Sequence, residues 1–196
     1  MATLLFQGHA SCRITTKTGL VIYIDPANGE GYDLPADLIL ISHEHGDHND
    51  LNLVPQKPDC RIIRSAQARL DGQYQTFRVG ELTVEAAPAS NQNHPIETCV
   101  GFLLTVDGVT LYHAGDTSWL DSMADLSARH LDWALLPTDG IYNMSAAEAS
   151  KCANAICARH SVPIHTDPSY QYNAAIAADF DGPGRMLLNH GQSVEL

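Results

Sequence analysis

Apolar residues fall in short runs along this chain, each bounded by Gly, Pro, Asp or Asn, and that punctuation predicts strands first. "TLLFQG", "CRITTK" and "LVIYID" read as a meander with Thr18 and Gly19 as a turn, and "DLILI" as a buried strand. "RIIRS", "ELTVEAA", "VGFLLTV" and "VTLYHA" continue the strand-rich part to about residue 113. Beyond it "WALLP", "VPIH" and "RMLLN" alternate with helical stretches. The clearest helix is "SAAEASKCANAICARH": Ser145 and Glu148 make a capping box, and Ala149, Cys152, Ala153, Ile156 and Cys157 repeat at helical spacing. With 196 residues and no linker or low-complexity segment, residues 1–196 read as one domain.

Two stretches share a grammar. "ITTKTGLVIYIDP" with "ADLILISH" and "LLTVDGVTLYHAGD" with "LDWALLPTDG" each give a hairpin through Thr-Gly or Asp-Gly, an acidic residue, then Asp and a buried strand. Turn chemistry alone makes hairpins resemble one another. If the repeat is real, two β-rich halves pack face to face with helices outside, an α/β fold of the four-layer αββα type.

Composition narrows the function. An apolar fraction of 44% with 17% charged residues is that of a globular protein, and the net charge of −12 leaves no basic stripe to meet nucleic acid. No run approaches the roughly 18 apolar residues that span a bilayer, and "MATLLFQGHASCR" lacks the basic flank of a signal peptide, so a cytoplasmic location is expected. Cys12, Cys60, Cys99, Cys152 and Cys157, irregularly spaced and without a CxxC, read as reduced, mostly buried residues.

The densest chemistry lies directly behind "DLILI". In "HEHGDH", His43 and His45 stand two apart and can turn toward one point from an extended loop, while Asp47 and His48 reach a neighbouring one. Imidazole and carboxylate are ligands for zinc or iron at neutral pH. Further candidates follow other strands: His94 after "ELTVEAAPAS", His113 and Asp116 with "GVTLY", and His165 after "VPI". All could share one rim of a sandwich. His130, His160 and His190 are left as surface or core groups.

"SHEHGDH", "PASNQNHP", "YHAGDT" and "VPIH", in that order, resemble the metal-binding motifs of the metallo-β-lactamase superfamily. The nearest likeness is to its small metal-dependent hydrolases, which include the ascorbate-phosphate lactonase-like branch; "GHASCRI", "GLVIYIDP" and "LLPTDGIYNMSAAEA" extend it over residues 5 to 166. The resemblance implies the αββα metallo-β-lactamase fold and two divalent metal ions, zinc with manganese or iron as alternatives. It implies that His43, His45 and His94 bind one ion, that Asp47, His48 and His165 bind the other, and that Asp116 bridges them. A hydroxide between the ions would then cleave a lactone, ester, amide or phosphodiester of a small molecule. Asp47 would also orient the nucleophile. Asp25 and His113 are expected to support the ligands from behind, and His9 in "GHAS" to contact substrate or carry a proton.

Two places depart from the family's pattern. "ASNQNHP" has a shortened spacer, which puts Asn91 or Asn93 close to His94, and Thr138, Asp139 and Gly140 stand where many relatives have a Gly-Gly pair. Asp167, Tyr170 and Tyr172 fall near the presumed pocket or in an ordinary polar loop. Other readings are an iron-dependent redox enzyme on the same fold, or a catalytically silent metal-binding scaffold. The expected partner is a small-molecule substrate, with neither nucleic acid nor membrane, and the oligomeric state is open.

Overall fold

A computed structural model describes all 196 residues. The strands are β1 (Thr3–Gly8), β2 (Ser11–Thr15), β3 (Val21–Ile24), β4 (Ala36–Ile41), β5 (Gln56–Arg64), β6 (Arg69–Leu70) and β7 (Gln73–Tyr74). They continue as β8 (Thr76–Val79), β9 (Leu82–Pro88), β10 (Val100–Val106), β11 (Val109–His113), β12 (Trp133–Pro137), β13 (His160–Ile164) and β14 (Gln192–Glu195). The α-helices are α1 (Ser65–Ala68), α2 (Ala146–Ile156) and α3 (Ala174–Asp179), with 3-10 turns at Leu51–Leu53 and Asp121–Arg129.

Two six-stranded sheets form, ordered β14-β1-β2-β3-β4-β5 and β13-β12-β11-β10-β9-β8. The internal repeat is structural. β2 and β3 are antiparallel and β3, β4 and β5 then run parallel; β10 and β11 are antiparallel and β11, β12 and β13 run parallel. The Asp opening each parallel step does the same thing twice: Val21 N–H donates to the Asp37 carboxylate at 2.8 Å, and Thr110 N–H to that of Asp132 at 2.9 Å. A backbone N–H at the start of the hairpin's second strand thereby finds its acceptor.

Alternation then sorts the side chains. Ile22, Ile24, Leu38 and Leu40 point between the sheets and meet Phe102, Leu104, Leu111, Leu135 and Val162 in the main core. Outside the second sheet, Ala134 and Leu136 pack under α2 through Ala149, Cys152, Ala153 and Ile156. Ser145 caps α2 by accepting from Glu148 N–H, but the Glu148 carboxylate receives Trp119 N–H at 3.1 Å, so only half of the expected capping box forms. The outer face of the first sheet is covered more thinly: Tyr23, Ile39 and Ile41 lie beneath Tyr32, Leu34 and Leu51, supplied by loop and a 3-10 turn. The αββα layering is present, with one helical layer reduced to loop.

"RMLLN" is not a strand. Met186 N–H donates to Ser161 O at 2.9 Å, and the Asn189–Gln192 turn then passes pairing to β14, which adds to β1. Leu188 still enters the core, which is why its run is apolar. No helix is long and apolar enough to cross a membrane.

The halves are tied at one edge. Val100 N–H donates to Ser42 O at 3.0 Å and His165 N–H to His9 O at 2.7 Å. Gly115 sits at the seam with φ +63°, and a Cβ there would come within 2.7 Å of Val100 O and 3.0 Å of Ser42 Cβ. Gly108, in the β10–β11 turn, also has positive φ (+88°) but open space around it. Gly115→Ala is therefore expected to cost at least about 1 kcal/mol more than Gly108→Ala, because it adds a backbone clash to the shared conformational strain. Thermal or urea melts check this; equal losses would mean the seam is not close-packed.

Candidate metal centre

Each candidate residue follows the C-terminal end of a strand, and within each sheet those strands run one way. His9 follows β1, Asp25 β3, the "HEHGDH" loop β4, His94 β9, Asp116 β11 and His165 β13. The turns are tight. His9, Asp25 and His165 hold left-handed backbone at φ 56°, 46° and 46°, uncommon for residues other than glycine. The chain bends back at once, and the side chains gather at the edge.

The donors fall into overlapping groups whose ligand atoms lie within 4.8 Å of one another: His43, His45 and His94; His43, His48 and Asp116; and His9, Asp47, His48 and His165. Asp116 lies between. Its Oδ1 is 3.4 Å from His48 Nε2, and its Oδ2 is 3.4 Å from His94 Nε2 and 3.5 Å from His165 Nε2. The structure thus brings together every expected ligand and adds His9, whose Nε2–H donates to Asp47 Oδ2 at 3.2 Å. Glu44, in the same loop, turns away, and Arg64 Nη1 donates to both its carboxylate oxygens at 2.7 and 2.9 Å.

Behind the rings stand acceptors. His48 Nδ1 donates to Asp25 at 2.9 Å; Asp25, fully buried, also receives Ser42 N–H at 2.7 Å and the Ser42 hydroxyl at 2.6 Å. That hydroxyl has spent its proton on Asp25, so its oxygen accepts from His43 Nδ1 at 3.0 Å. His94 Nδ1 donates to Asn91 Oδ1 at 2.8 Å. His165 Nδ1 lies 2.8 Å from Asp139 Oδ2 in an oblique ion pair. Each ring therefore turns its outer nitrogen toward an acceptor and aims Nε2 inward, the arrangement of a metal-ligating histidine.

Ser42 and Asp139 carry no mark of this in the sequence, since their partners lie one residue away across a strand end and 26 residues on. His113 departs from expectation: its ring meets no ligand side chain. Nε2 donates to Ala10 O at 2.8 Å and Nδ1 accepts from Gly115 N–H at 3.3 Å, so it braces backbone leading to His9 and Asp116. Tyr170 lies beside His9, with ring centroids 4.9 Å apart and planes tilted by 43°, while Asp167, Tyr170 and Tyr172 all stay outside the cavity lining. His160 packs on Trp133 and His190 on Phe6, away from the site. All five cysteines are free; Cys12, Cys99 and Cys152 are buried, and Cys99 donates to Asp116 O at 3.3 Å.

The electrostatics fit a cation. His43 Nε2, His48 Nε2, His165 Nε2 and Asp116 Oδ1 are buried without a hydrogen-bond partner, a cost that ligation would remove. His45 Nδ1 and His94 Nε2 face each other at 3.2 Å, where two lone pairs repel unless a proton or cation lies between. Burial pushes His43 down to about 3, leaving it neutral and able to ligate. For His165 burial opposes protonation, but Asp116, Asp139 and Asp47 outweigh it and lift the ring to about 9. Imidazole and carboxylate donors with inward lone pairs suit zinc, manganese or iron.

A cavity of about 210 Å³ opens on this cluster, lined by His45, Asp47, Asn93, His94, Asp116, Tyr142 and His165. A second, of about 260 Å³, adjoins it past His43, His45 and Pro95.

Comparison with known proteins agrees with this geometry. The β-lactamase superfamily domain profile matches residues 3–165. A metal-dependent hydrolase of Methanoregula boonei is 35% identical over 91% of this chain and 86% of its own. One from Pyrococcus furiosus is 28% identical over the full length of both. Among solved structures, a metallo hydrolase from Ignicoccus hospitalis superposes with a TM-score of 0.76 at 22% identity, covering 98% of this chain and 97% of its own. A diiron β-hydroxylase from Streptomyces venezuelae superposes at 0.70 with 15% identity over all of this chain and 54% of its own, a likeness of fold alone.

The protonation states give a pH signature for chelator-stripped protein. His165, raised from 6.5 to about 9, contributes stability that is complete below pH 6.5 and lost as pH climbs through 9. Asp139 is held at about 2: burial opposes ionisation, but hydrogen bonds and the His165 charge prevail, so its contribution is present above 3.8 and lost as pH falls toward 2. His43, held neutral at about 3, adds stability as pH rises to 6.5, so stripped protein should be most stable near pH 6.5 and lose up to about 3 kcal/mol toward pH 9.5. His165→Gln should flatten that alkaline limb in pH-dependent melts; an unchanged limb would show that His165 does not titrate there.

Proposed function

Because the chain belongs to the β-lactamase superfamily, we propose that it is a metal-dependent hydrolase that holds two divalent cations, zinc in the native protein, and cleaves a small-molecule lactone, ester, amide or phosphodiester. The observation that carries this reading is the set of buried ring nitrogens turned inward with no partner in the chain. His43, His45 and His94 would hold one cation, Asp47, His48 and His165 the other, and Asp116 would serve both. Bound there, the cations supply Lewis acidity toward a carbonyl or phosphoryl oxygen and make water nucleophilic near neutral pH.

The chain's own residues supply the rest. Asp47 is a quarter exposed and borders the cavity, so its carboxylate is placed to orient water and accept its proton. The His9 N–H holds that carboxylate, and burial keeps the His9 ring neutral, below its ordinary value, and able to pass a proton on. Tyr142, half exposed at the rim, offers an aromatic face to the part of the substrate that does not react.

Substrate size and charge follow from the walls. Together the two cavities suit a small molecule, and neither lining contains Lys or Arg to grip a polyanion, which speaks against nucleic acid. Five free thiols favour the reducing cytoplasm.

Protein reloaded with zinc is expected to carry about two ions per chain by elemental analysis, and iron with colour in freshly purified protein would favour a redox enzyme. Asp116→Ala should fold yet lose at least about a hundredfold in turnover, found by screening lactones, phosphodiesters and thioesters with zinc-, manganese- and iron-loaded enzyme. Fewer than one zinc per chain would overturn the dinuclear reading. Parental turnover by Asp116→Ala would reduce Asp116 to a carboxylate of no catalytic account.

A further inference from the structure

Away from β13 and β14 both sheets end in an open strand, β5 in the first and β8 in the second. Between these edges the chain runs through α1 and the β6–β7 hairpin, and a cavity of about 340 Å³ remains there. Ile62 and Ile63 of β5, Ala66 of α1, Leu70 of β6 and Phe77 of β8 give it an apolar lining, with Leu70 55% exposed. None of its walls carries a candidate metal ligand. α1 stands between it and the cavity past His43, with Ala66 on both walls.

One charged group stands at this lining. Arg61 holds its guanidinium over the Phe77 ring, 5.0 Å from the centroid, and so bridges the two sheet edges. Gln67 Oε1 accepts from Arg64 N–H at 2.8 Å and Gln75 Nε2 donates to Gln73 O at 2.8 Å, so the neighbouring amides serve nearby backbone. Arg61 has no such partner. Elsewhere Arg13, Arg64, Arg129 and Arg159 meet carboxylates, and Arg185 donates to the Ala178 and Phe180 carbonyls. A guanidinium offers its N–H donors in a fixed fork, and resting on an aromatic ring leaves that fork free for a carboxylate or phosphate.

The surroundings favour the same sign. Residues 56–79 hold five of the eleven cationic side chains (Lys57, Arg61, Arg64, Arg69 and Arg78) and two of the twenty-three acidic ones (Asp59 and Asp71), so this side is locally positive on a chain of net charge −12. We propose that the cavity binds a small amphiphilic anion, its apolar body on Ile62, Leu70 and Phe77 and its carboxylate or phosphate on Arg61. An enclosed recess of this volume suits a compact ligand rather than a bilayer face. The site stands whether or not the metal centre is filled.

Octanoate titrated into the purified protein and followed by backbone amide shifts tests this, with octanol and octylammonium as probes of like body and different charge. Octanoate should saturate, with its shifts centred on Ile62, Ala66, Leu70 and Phe77. Octanol should bind about fivefold more weakly for loss of one partly exposed charge contact, and octylammonium more weakly still. Arg61→Gln, at an exposed position, should bring octanoate to the octanol level and leave octanol unchanged. Leu70→Ser should weaken octanoate and octanol alike, because it removes apolar surface that both cover. A merely structural Arg61 would not separate the two probes.

Equal binding of octanoate and octylammonium, or of octanoate by Arg61→Gln and the parent, would overturn the anion site. So would shifts confined to residues 43–48 and His94, which would put the carboxylate on a metal ion instead. No saturable shift at millimolar octanoate would overturn it as well, and a dimer in sedimentation would then give the recess to a second copy of this chain.

Discussion

A carboxylate sealed from water is the constraint on which this edge of the molecule depends. Asp25 is held ionised at 0% exposure although burial alone would protonate it; the charge of His48, first among the opposing causes, and its hydrogen bond outweigh the loss of water. Such a group is tolerable only if every acceptor position is filled. Ser42 N–H, the Ser42 hydroxyl and His48 Nδ1 fill them, and Asp25 N–H in turn donates to Leu40 O at 2.9 Å. The sheet, the turn after β4 and the cluster are thus one polar unit. Its removal would leave several buried donors unsatisfied at once.

From that unit the rest of the centre follows by duplication of architecture. Each half lays an antiparallel hairpin beside parallel strands, and each parallel strand releases its side chains at the same edge. Where the halves meet, backbone bonds from Val100 to Ser42 and from His165 to His9 hold the ends in register. Candidate ligands separated by as much as 122 positions, His43 to His165, are therefore brought together from strand ends at one edge, which suits the precision a metal centre needs.

What was legible in the sequence was whatever depended on near neighbours. The "HEHGDH" loop declared itself because its candidate ligands are crowded behind one apolar run, and Asp116 and His165 because each follows a strand. The hairpin grammar announced the two halves because turn residues and the clamping Asp are local features. The partners of the ligands were harder. Asp25 could be placed by its strand, but Ser42 and Asp139 act across chain crossings that no periodicity records, and His113 looked like a ligand's neighbour when its ring instead braces backbone. "RMLLN" misled because an apolar run reports burial, and Leu188 is buried without belonging to a ladder.

The unequal wrapping of the two sheets has a dynamic consequence. The second sheet is roofed by α2, whose amides are bonded within the helix and whose apolar face is pinned by Met123, Tyr112 and Leu136. The first is roofed by the segment after Asp25, which relies on scattered bonds such as Tyr23 Oη to Leu34 O at 2.9 Å and Tyr32 Oη to Asn28 O at 2.8 Å. Local opening costs least where few cooperative bonds must break together. Solvent exchange of amide protons would therefore run faster over residues 26–35 than over α2, and its opening would uncover the back of the chamber that houses Asp25. The loop-covered face of the first sheet is then the side on which water first reaches the interior.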